Sequence, residues 1–229
     1  KYACFCAAQF TPTIDLLKGT AREMNIGNMF KGKENREDAR SYFYLEKDLF
    51  TFLVFGGSQG AKVINEAFIQ AAMQMHQEGK KFQILHLTGS TESAQQIRDI
   101  YQSLGIKCCV KVFEENMEKA WSAADFVLCR SGGITVAEQI HFEVPACYIP
   151  FARAAENHQY KNAEFVASKK AAFVCTESAL KEGKLLYYVN QAFVPHVIQE
   201  LQEAVKKIKK ERETHLSFPE MIEEILRKI

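Results

Sequence analysis

The sequence predicts an α/β fold with a Rossmann-like parallel sheet and helices on both faces. Three observations support this. From Thr51 onward, short apolar segments alternate with segments of helical spacing, as in βαβ units. The glycine-rich stretches fall where an apolar segment gives way to a helical one, which suits ligand-binding loops of such sheets. The composition, 47% hydrophobic and 25% charged, is typical of a globular chain that buries a sizeable core.

The elements follow one another in a regular order. The first strand, 50–55, is rich in aromatic and β-branched residues, which favour extended backbone. It stops at glycines, and an alanine-rich helix follows from about Ala61 to Gln77. The same alternation then predicts strands at 82–89, 106–113, 125–133, 144–151 and 171–176, helices at 91–105, 117–123, 134–142 and 156–169, and finally two or three helices up to Ile229.

The first part of the chain does not follow this alternation. Residues 29–49 combine glycines and charges with a short helical segment at 36–45, which predicts a linker that leads into the first strand. A domain boundary is therefore expected near Asn28. The chain begins at Lys1 without a methionine, and we expect its natural beginning to lie upstream.

Composition excludes several classes of function. The formal net charge is +1, so no overall basic field favours nucleic acid as a partner. The seven cysteines include no C-x-x-C pair, which favours reduced thiols over a disulfide framework or a zinc site. No apolar run approaches the roughly 20 residues of a membrane-spanning helix, and no secretory signal is visible. Peripheral attachment to a membrane stays open.

The first candidate site is the turn 56–60, GGSQG. Its glycines allow the backbone to approach a ligand, and the following helix offers free N–H groups and a positive dipole end that suit a diphosphate. The nicotinamide fingerprint G-x-G-x-x-G is only half met, because Phe55 stands where its first glycine belongs. A dinucleotide oxidoreductase is therefore a weak alternative, and a tight strand-to-helix corner without a ligand is an equal one.

The second candidate site is the junction CRSGGITVAEQ, 129–139. A strand ends at Arg130, glycines make the turn, and the next helix carries Thr135 and Glu138 in its first two turns. Thr135 and the nearby backbone N–H groups can hold diphosphate oxygens, while the carboxylate of Glu138 can accept hydrogen bonds from a ribose diol. The alternative for Glu138 is a solvated glutamate on a helix.

The third candidate site is the segment PFARAAENHQYKNAEF, 150–165. Gln159 and Asn162 are three residues apart and share a helix face, and amides supply the donors and acceptors that sugar hydroxyls need. Asn157 is either a ligand contact or an N-cap, and His158 is a candidate base or a polar residue of the first turn. Diphosphate, diol and sugar partners together indicate a nucleotide sugar. No D-x-D pair is present, so helix N-termini would neutralise the diphosphate, and no metal or cofactor is predicted.

At this point the sequence resembles the MurG family of bacterial glycosyltransferases, family 28. The resemblance is carried by FGGSQGAKVIN, CRSGGITVAEQ and PFARAAENHQYKNA, in that order and spacing, and it spans about 27–167. It implies the C-terminal half of a two-domain GT-B glycosyltransferase, which binds UDP-N-acetylglucosamine. Residues 1–28 would be the tail of the N-terminal acceptor domain, 29–49 the linker, 50–216 the donor domain, and 217–229 a last helix that packs on the N-terminal half.

The resemblance also assigns roles by motif. Ser58 would contact the donor, and the segment from Gly133 to Glu138 would line its diphosphate and ribose. Gln159 would meet the sugar hydroxyls with support from Asn162, and Glu114 would lie at the uracil, through its backbone. The full set of expected donor-binding residues is Lys31, Gly57, Ser58, Gln59, Gly60, Glu114, Arg130, Ser131, Gly132, Gly133, Ile134, Thr135, Val136, Ala137, Glu138, Gln159 and Asn162.

The sequence departs from the family pattern at two places. Lys31 stands where the family has arginine, so the charge is kept but the bidentate phosphate geometry is lost. The family's N-terminal glycine-rich loop with its histidine has no counterpart in these residues, so the general base is expected in a domain outside this chain. The chain alone is expected to bind donor with little or no turnover.

The resemblance implies an inverting transfer of N-acetylglucosamine to the C4 hydroxyl of lipid-linked N-acetylmuramyl-pentapeptide, lipid I, to give lipid II for the cell wall. The partners would be UDP-N-acetylglucosamine, lipid I and the protein's own N-terminal domain. The location would be cytoplasmic, peripheral on the inner face of the cell membrane. Two other functions stay open: a stand-alone donor-binding subunit that needs a separate membrane partner, and a non-catalytic nucleotide-sugar sensor.

Overall fold

A computed structural model of the chain describes residues 6–8, 21–24, 30–57, 60–154, 157–213, 215 and 217–227. Two short strands, β1 (Cys6–Ala8) and β2 (Ala21–Glu23), pair in parallel apart from the main sheet. The main sheet contains six strands: β3 (Thr51–Phe55), β4 (Gln83–Leu87), β5 (Cys108–Lys111), β6 (Phe126–Cys129), β7 (Ala146–Tyr148) and β8 (Ala172–Val174).

All neighbours in the main sheet are parallel, in the order β5-β4-β3-β6-β7-β8. The chain builds the sheet outward from β3 in one direction and then returns to continue from β6 in the other. This is the doubly wound strand order of Rossmann-like folds, and its switch point lies between β3 and β6. The predicted fold class is confirmed.

The described residues contain ten helices. α1 (Arg36–Tyr42) precedes the sheet, and a helix follows each of its strands: α2 (Lys62–Gln77), α3 (Thr91–Ser103), α4 (Met117–Ala123), α5 (Gly133–Phe142), α6 (His158–Ser168) and α7 (Glu177–Lys181). The chain then continues through three helices: α8 (Leu185–Gln191), α9 (Pro195–Arg212) and α10 (Phe218–Leu226).

Two hydrophobic cores lie on opposite faces of the sheet. One packs α1, α4, α5, α6 and α9 around Trp121 and Phe142. The other packs α2, α3 and α8 around Phe52 and Phe68. Every residue of β3 and β4 is buried, which explains why these strands are apolar at consecutive positions. The helices on both faces agree with the sequence prediction, and Cys129 and Cys147 are buried in the sheet.

The predicted linker, in its described part, packs firmly against the sheet domain. Asp125, just before β6, accepts hydrogen bonds from Arg36 Nη1 at 2.7 Å and Arg40 Nη2 at 2.5 Å. It also accepts from Thr51 N at 2.8 Å. The Arg40 side chain is buried, and its Nε donates to Ala123 O at 3.0 Å. α1 is therefore an integral part of this domain's packing, while the division into domains stays a prediction.

The prediction for the end of the chain was wrong in its number of helices. After β8 the described residues form four helices, not two or three. Gly183, in left-handed conformation at φ 72°, follows the end of α7, and Pro195 occupies the first turn of α9. Both residues interrupt helical hydrogen bonding. The chain after β8 therefore forms α7, α8 and α9 as separate helices. No helix in the described part of the chain is long and apolar enough to span a membrane.

Candidate nucleotide-sugar site at the sheet switch point

The register of the sheet brings the first two candidate loops together. Phe55 at the end of β3 pairs with Cys129 at the end of β6, so Gly56 and Arg130 leave neighbouring strands at the same edge. In open α/β sheets this crevice, outside the carboxyl ends of strands at the switch point, is where ligands bind. The sequence predicted both loops but not that they are neighbours.

The turn after β3 requires glycine on steric grounds. A Cβ at Gly56 would lie 2.2 Å from Ala61 N, and one at Gly60 would lie 2.4 Å from Thr88 O. Gly57 and Gly60 also adopt positive φ, 89° and 70°, a region that favours glycine. The tight corner is thus confirmed, and its sharpness puts the start of α2 at the switch point. Two predicted contacts of this turn lie outside the described residues: Ser58 and Gln59.

Both helices that begin at the switch point lack a side-chain cap. The N-cap residues are Ala61 for α2 and Gly132 for α5, and neither helix has a side-chain hydrogen bond at its cap. Among the other helices that follow strands, α3 and α7 are capped by Ser90 and Thr176, whereas α4 and α6 also lack a side-chain cap. Uncapped N-terminal N–H groups, together with the positive end of the helix dipole, suit an anion. The switch point therefore presents two such helix ends.

Glu138 lies in the second turn of α5 and is partly buried. Burial raises its pKa to about 7, because a carboxylate loses hydration there. The indole of Trp121 opposes this shift, although Trp121 Nε1 makes no well-formed hydrogen bond within the described residues. A solvated helix glutamate would keep an ordinary pKa, so this burial favours a ligand-facing role.

The third candidate site joins the second through direct hydrogen bonds. Ser131 Oγ donates to Gln159 O at 2.8 Å, and Asn162 Nδ2 donates to Ser131 O at 3.1 Å. Gln159 Oε1 accepts from Phe151 N at 2.9 Å. Because a backbone N–H can only donate, this bond fixes the amide orientation and leaves Gln159 Nε2 as the donor. The predicted common face of Gln159 and Asn162 is confirmed, and it faces the end of β6.

Arg130 is engaged by the protein itself. Its Nη1 lies 2.7 Å from Glu177 Oε1 and donates to Ile149 O at 3.0 Å and Pro150 O at 3.1 Å. Its guanidinium stacks over the Phe151 ring at 5.2 Å. Arg130 thus holds the loop after β7 in place. It was predicted among the donor contacts, and the geometry gives it a second, internal task.

Glu114 holds the loop after β5, where the family resemblance predicts the contact with the uracil. This side chain is buried, accepts from Asn116 N at 2.9 Å and pairs with Lys111. Burial disfavours the ionised carboxyl, but the hydrogen bonds from Lys111 and Asn116 outweigh it and keep the pKa of Glu114 below its usual value. A contact from the backbone of this loop therefore stays a prediction, while the Glu114 side chain is used within the protein.

Other predicted residues differ in what they can offer. Val136 and Ala137 are buried in α5, so only their backbone could reach a ligand. Ile134 is exposed and Thr135 partly exposed. Lys31 pairs with Glu118 Oε1 of α4 at 2.7 Å, so its predicted phosphate contact has no support in this arrangement.

The alternatives for the start of α6 are resolved only in part. Asn157 occupies the N-cap position in left-handed conformation, φ 56°, and makes no side-chain cap hydrogen bond. Asn157 is thus the N-cap residue by position, as one of the two alternatives expected, although its side chain does not cap the helix. His158 is exposed at the first position of the helix. α6 thus also begins without a side-chain cap, at the same edge of the sheet.

Two residues of this edge were missed by sequence reasoning. Glu177 lies in none of the three motifs and was one of many helix glutamates; only its partner Arg130 reveals it. Trp121 is the single tryptophan of the chain and is fully buried beside Glu138. Its rarity was the one signal that could have drawn attention to it.

The strand order, with glycine-rich loops at its switch point, defines an α/β domain of the Rossmann-like class. A model of the glycosyltransferase family 28 C-terminal domain matches residues 51–224. The chain belongs to this family. The match begins at the first residue of β3 and ends within α10, so it covers the whole main sheet.

Curated relatives carry one common name. A protein of Protochlamydia amoebophila is 36% identical over 205 residues, 87% of this chain and 54% of its own length. One from Rickettsia felis is 32% identical over 215 residues, 91% of this chain and 57% of its own length. Both are named UDP-N-acetylglucosamine--N-acetylmuramyl-(pentapeptide) pyrophosphoryl-undecaprenol N-acetylglucosamine transferase. The chain thus spans about half the length of these relatives.

Solved structures agree on the fold. MurG of Acinetobacter baumannii superposes with a TM-score of 0.67 at 26% identity, over 98% of this chain and 65% of that one. The glycosyltransferase VinC, solved in complex with dTDP, superposes with a TM-score of 0.65 at 17% identity, over 92% of this chain and 48% of that one. The latter likeness concerns the fold alone. The fold is that of the C-terminal half of GT-B glycosyltransferases.

Proposed function

We propose that this chain supplies the donor site of a transferase that moves N-acetylglucosamine from UDP-N-acetylglucosamine to the C4 hydroxyl of lipid-linked N-acetylmuramyl-pentapeptide. The observation that carries the proposal is the switch point itself, where two helices begin without side-chain caps and the partly buried Glu138 lies in the second turn of one of them. The names of the relatives supply the substrate class. The enzyme would be an inverting hexosyltransferase.

In this proposal each structural feature has one task. The N-termini of α2 and α5 neutralise the charge that develops on the diphosphate as UDP leaves, since fixed dipoles act without reorganisation. Glu138 accepts hydrogen bonds from the ribose diol in its ionised form. Gln159 donates to a sugar hydroxyl through Nε2, and the loop held by Glu114 receives the uracil. A further domain binds the acceptor, lipid I, and supplies the general base. The protein works peripherally at the inner face of the membrane.

The test is calorimetric titration of this chain with UDP-N-acetylglucosamine, UDP-glucose, UDP and NAD. We expect the UDP species to bind and NAD not to. Glu138→Ala should weaken all UDP species about 10- to 100-fold, the range for a hydrogen bond to a charged group, and Gln159→Ala should weaken only the sugar nucleotides, about 3- to 10-fold. A Glu66→Ala variant, which removes an exposed glutamate of α2, is the matched control and should bind as the unsubstituted protein does.

Binding of NAD in place of UDP species would contradict the proposal and favour an oxidoreductase. A lipid I transferase assay on the full-length protein then tests the reaction. Donor binding with no transfer by the full-length protein would favour a nucleotide-sugar sensor.

A further inference from the structure

The pair Arg130–Glu177 is built from three neighbouring strand ends. Cys129 pairs with Tyr148 across β6 and β7, and Tyr148 pairs with Val174 across β7 and β8. Arg130 therefore follows β6 directly, and Glu177 follows β8 at the first position of α7. An acidic side chain is favoured at a helix N-terminus, so Glu177 is stabilised there independently of Arg130.

The pair is partly desolvated. Only 12% of the Arg130 side chain and 24% of the Glu177 side chain are exposed, and Arg130 Nη1 lies 2.7 Å from Glu177 Oε1. Charge pairs in such surroundings are screened less than pairs on an open surface. Removal of one partner leaves the other charge uncompensated. The position of the Arg130 guanidinium thus depends on Glu177.

The pair acts on the sugar side of the site through the loop after β7. Arg130 donates to the Ile149 and Pro150 carbonyls and stacks on Phe151. Phe151 N in turn donates to Gln159 Oε1, which sets the orientation of the Gln159 amide. A continuous chain of contacts therefore runs from Glu177 through Arg130 and the loop to Gln159.

We propose that Glu177 is a positioning residue for sugar recognition. By holding Arg130 on the loop after β7, it keeps Gln159 Nε2 directed toward the sugar. This inference rests on the proposed function, because it assumes that the sugar of a nucleotide donor meets Gln159. It adds a residue outside the sequence motifs that determines the preference for sugar nucleotide over UDP.

The experiment measures the ratio of the Kd for UDP-N-acetylglucosamine to the Kd for UDP by calorimetry, using this chain. In Glu177→Gln we expect the ratio to rise about 3- to 10-fold, the loss of one neutral hydrogen bond to the sugar. Arg130→Lys should raise it in the same direction, because lysine has no planar guanidinium to lie over the Phe151 ring. The matched control is Glu182→Gln, which removes the partner of Lys184 in an exposed pair and should leave the ratio unchanged.

The outcomes separate the two proposals. A merely structural role of Glu177 would weaken both ligands equally or lower stability alone, so urea unfolding is measured in parallel. A ratio within twofold of the unsubstituted value overturns the inference but leaves the donor site standing. Failure of the unsubstituted chain to bind any UDP species overturns the proposed function and the inference with it.

Discussion

At the scale of single residues, burial decides what a side chain can do. Glu138 in sequence is either a ligand contact or a solvated helix residue, and the raised pKa of about 7 favours the former. The same environment predicts how donor binding depends on pH. A diol is a hydrogen-bond donor to the ionised carboxylate, whereas a protonated carboxyl loses part of its acceptor capacity.

We therefore expect the affinity for UDP-N-acetylglucosamine to fall by up to about tenfold between pH 8 and pH 6, the factor by which the ionised fraction of Glu138 decreases. For this test UDP-N-acetylglucosamine is a better ligand than UDP. Its diphosphate carries no proton that titrates in this range, whereas the terminal phosphate of UDP does. Calorimetric titration at several pH values provides the measurement. Glu138→Gln should bind with little dependence on pH; an equal dependence in this variant would show that another group titrates.

At the scale of elements, α1 is held on the sheet domain by charges. The carboxylate of Asp125 accepts hydrogen bonds from Arg36, from the buried Arg40 and from the backbone N–H of Thr51. A second pair joins Lys119 of α4 to Glu34 at 2.7 Å. Glycines and charges in this segment predicted a linker, but one of its charged residues, Arg40, is buried. What these charged residues contact depends on α4, which is distant in sequence, so no local pattern could have predicted the packing.

Asp125→Ala should lower the free energy of unfolding by about 3–5 kcal/mol, because the buried Arg40 loses its partner. Urea unfolding followed by circular dichroism measures the change. Glu66→Ala, which breaks the exposed pair with Lys62, should cost less than about 0.5 kcal/mol. A loss in Asp125→Ala as small as in this control would mean that α1 contributes little to the stability of the domain.

At the scale of the whole molecule, the core between β4 and the helices α2 and α3 contains a neutral histidine. His86 is fully buried, its Nε2 is 3.1 Å from Asn65 Oδ1, and its Nδ1 is 3.0 Å from Tyr101 OH. Burial lowers its pKa to about 3. Between pH 6.5 and about 3, the unfolded chain takes up a proton that the folded chain does not, so stability falls as the pH falls.

The contribution of His86 to this fall is at most about 1.4 kcal/mol per pH unit. Burial raises the pKa of Glu138, so the folded chain holds this proton more tightly than the unfolded chain does. This makes the protein more stable as the pH falls, opposite to the effect of His86. The effect of His86 is therefore measured by comparison with a variant. His86→Gln keeps polar partners for Asn65 and Tyr101 but does not titrate. Urea unfolding between pH 6 and pH 4 should give a steeper slope for the unsubstituted protein, and equal slopes would show that His86 titrates near its ordinary value.

Many local features of this protein could be predicted from the sequence, because they depend only on interactions between residues close together in the chain. Strands buried on both faces need consecutive apolar residues, and sharp turns after them need glycine, so the alternation from Thr51 onward and the loops at 56–60 and 129–139 were predictable. Gln159 and Asn162 could be placed on one face because helical spacing is fixed. These features depend only on neighbours along the chain.

Tertiary structure decided the rest. Strand order results from pairing between segments far apart in sequence, and it alone placed Gly56 beside Arg130. Glu177 became part of the site because β8 lies next to β7, and Glu114 turned inward because Lys111 lies within its reach. The sequence by itself thus determined the alternation of strands and helices from Thr51 and the position of the glycine turns, whereas long-range packing determined which charged groups lie at the candidate site and which are paired within the protein.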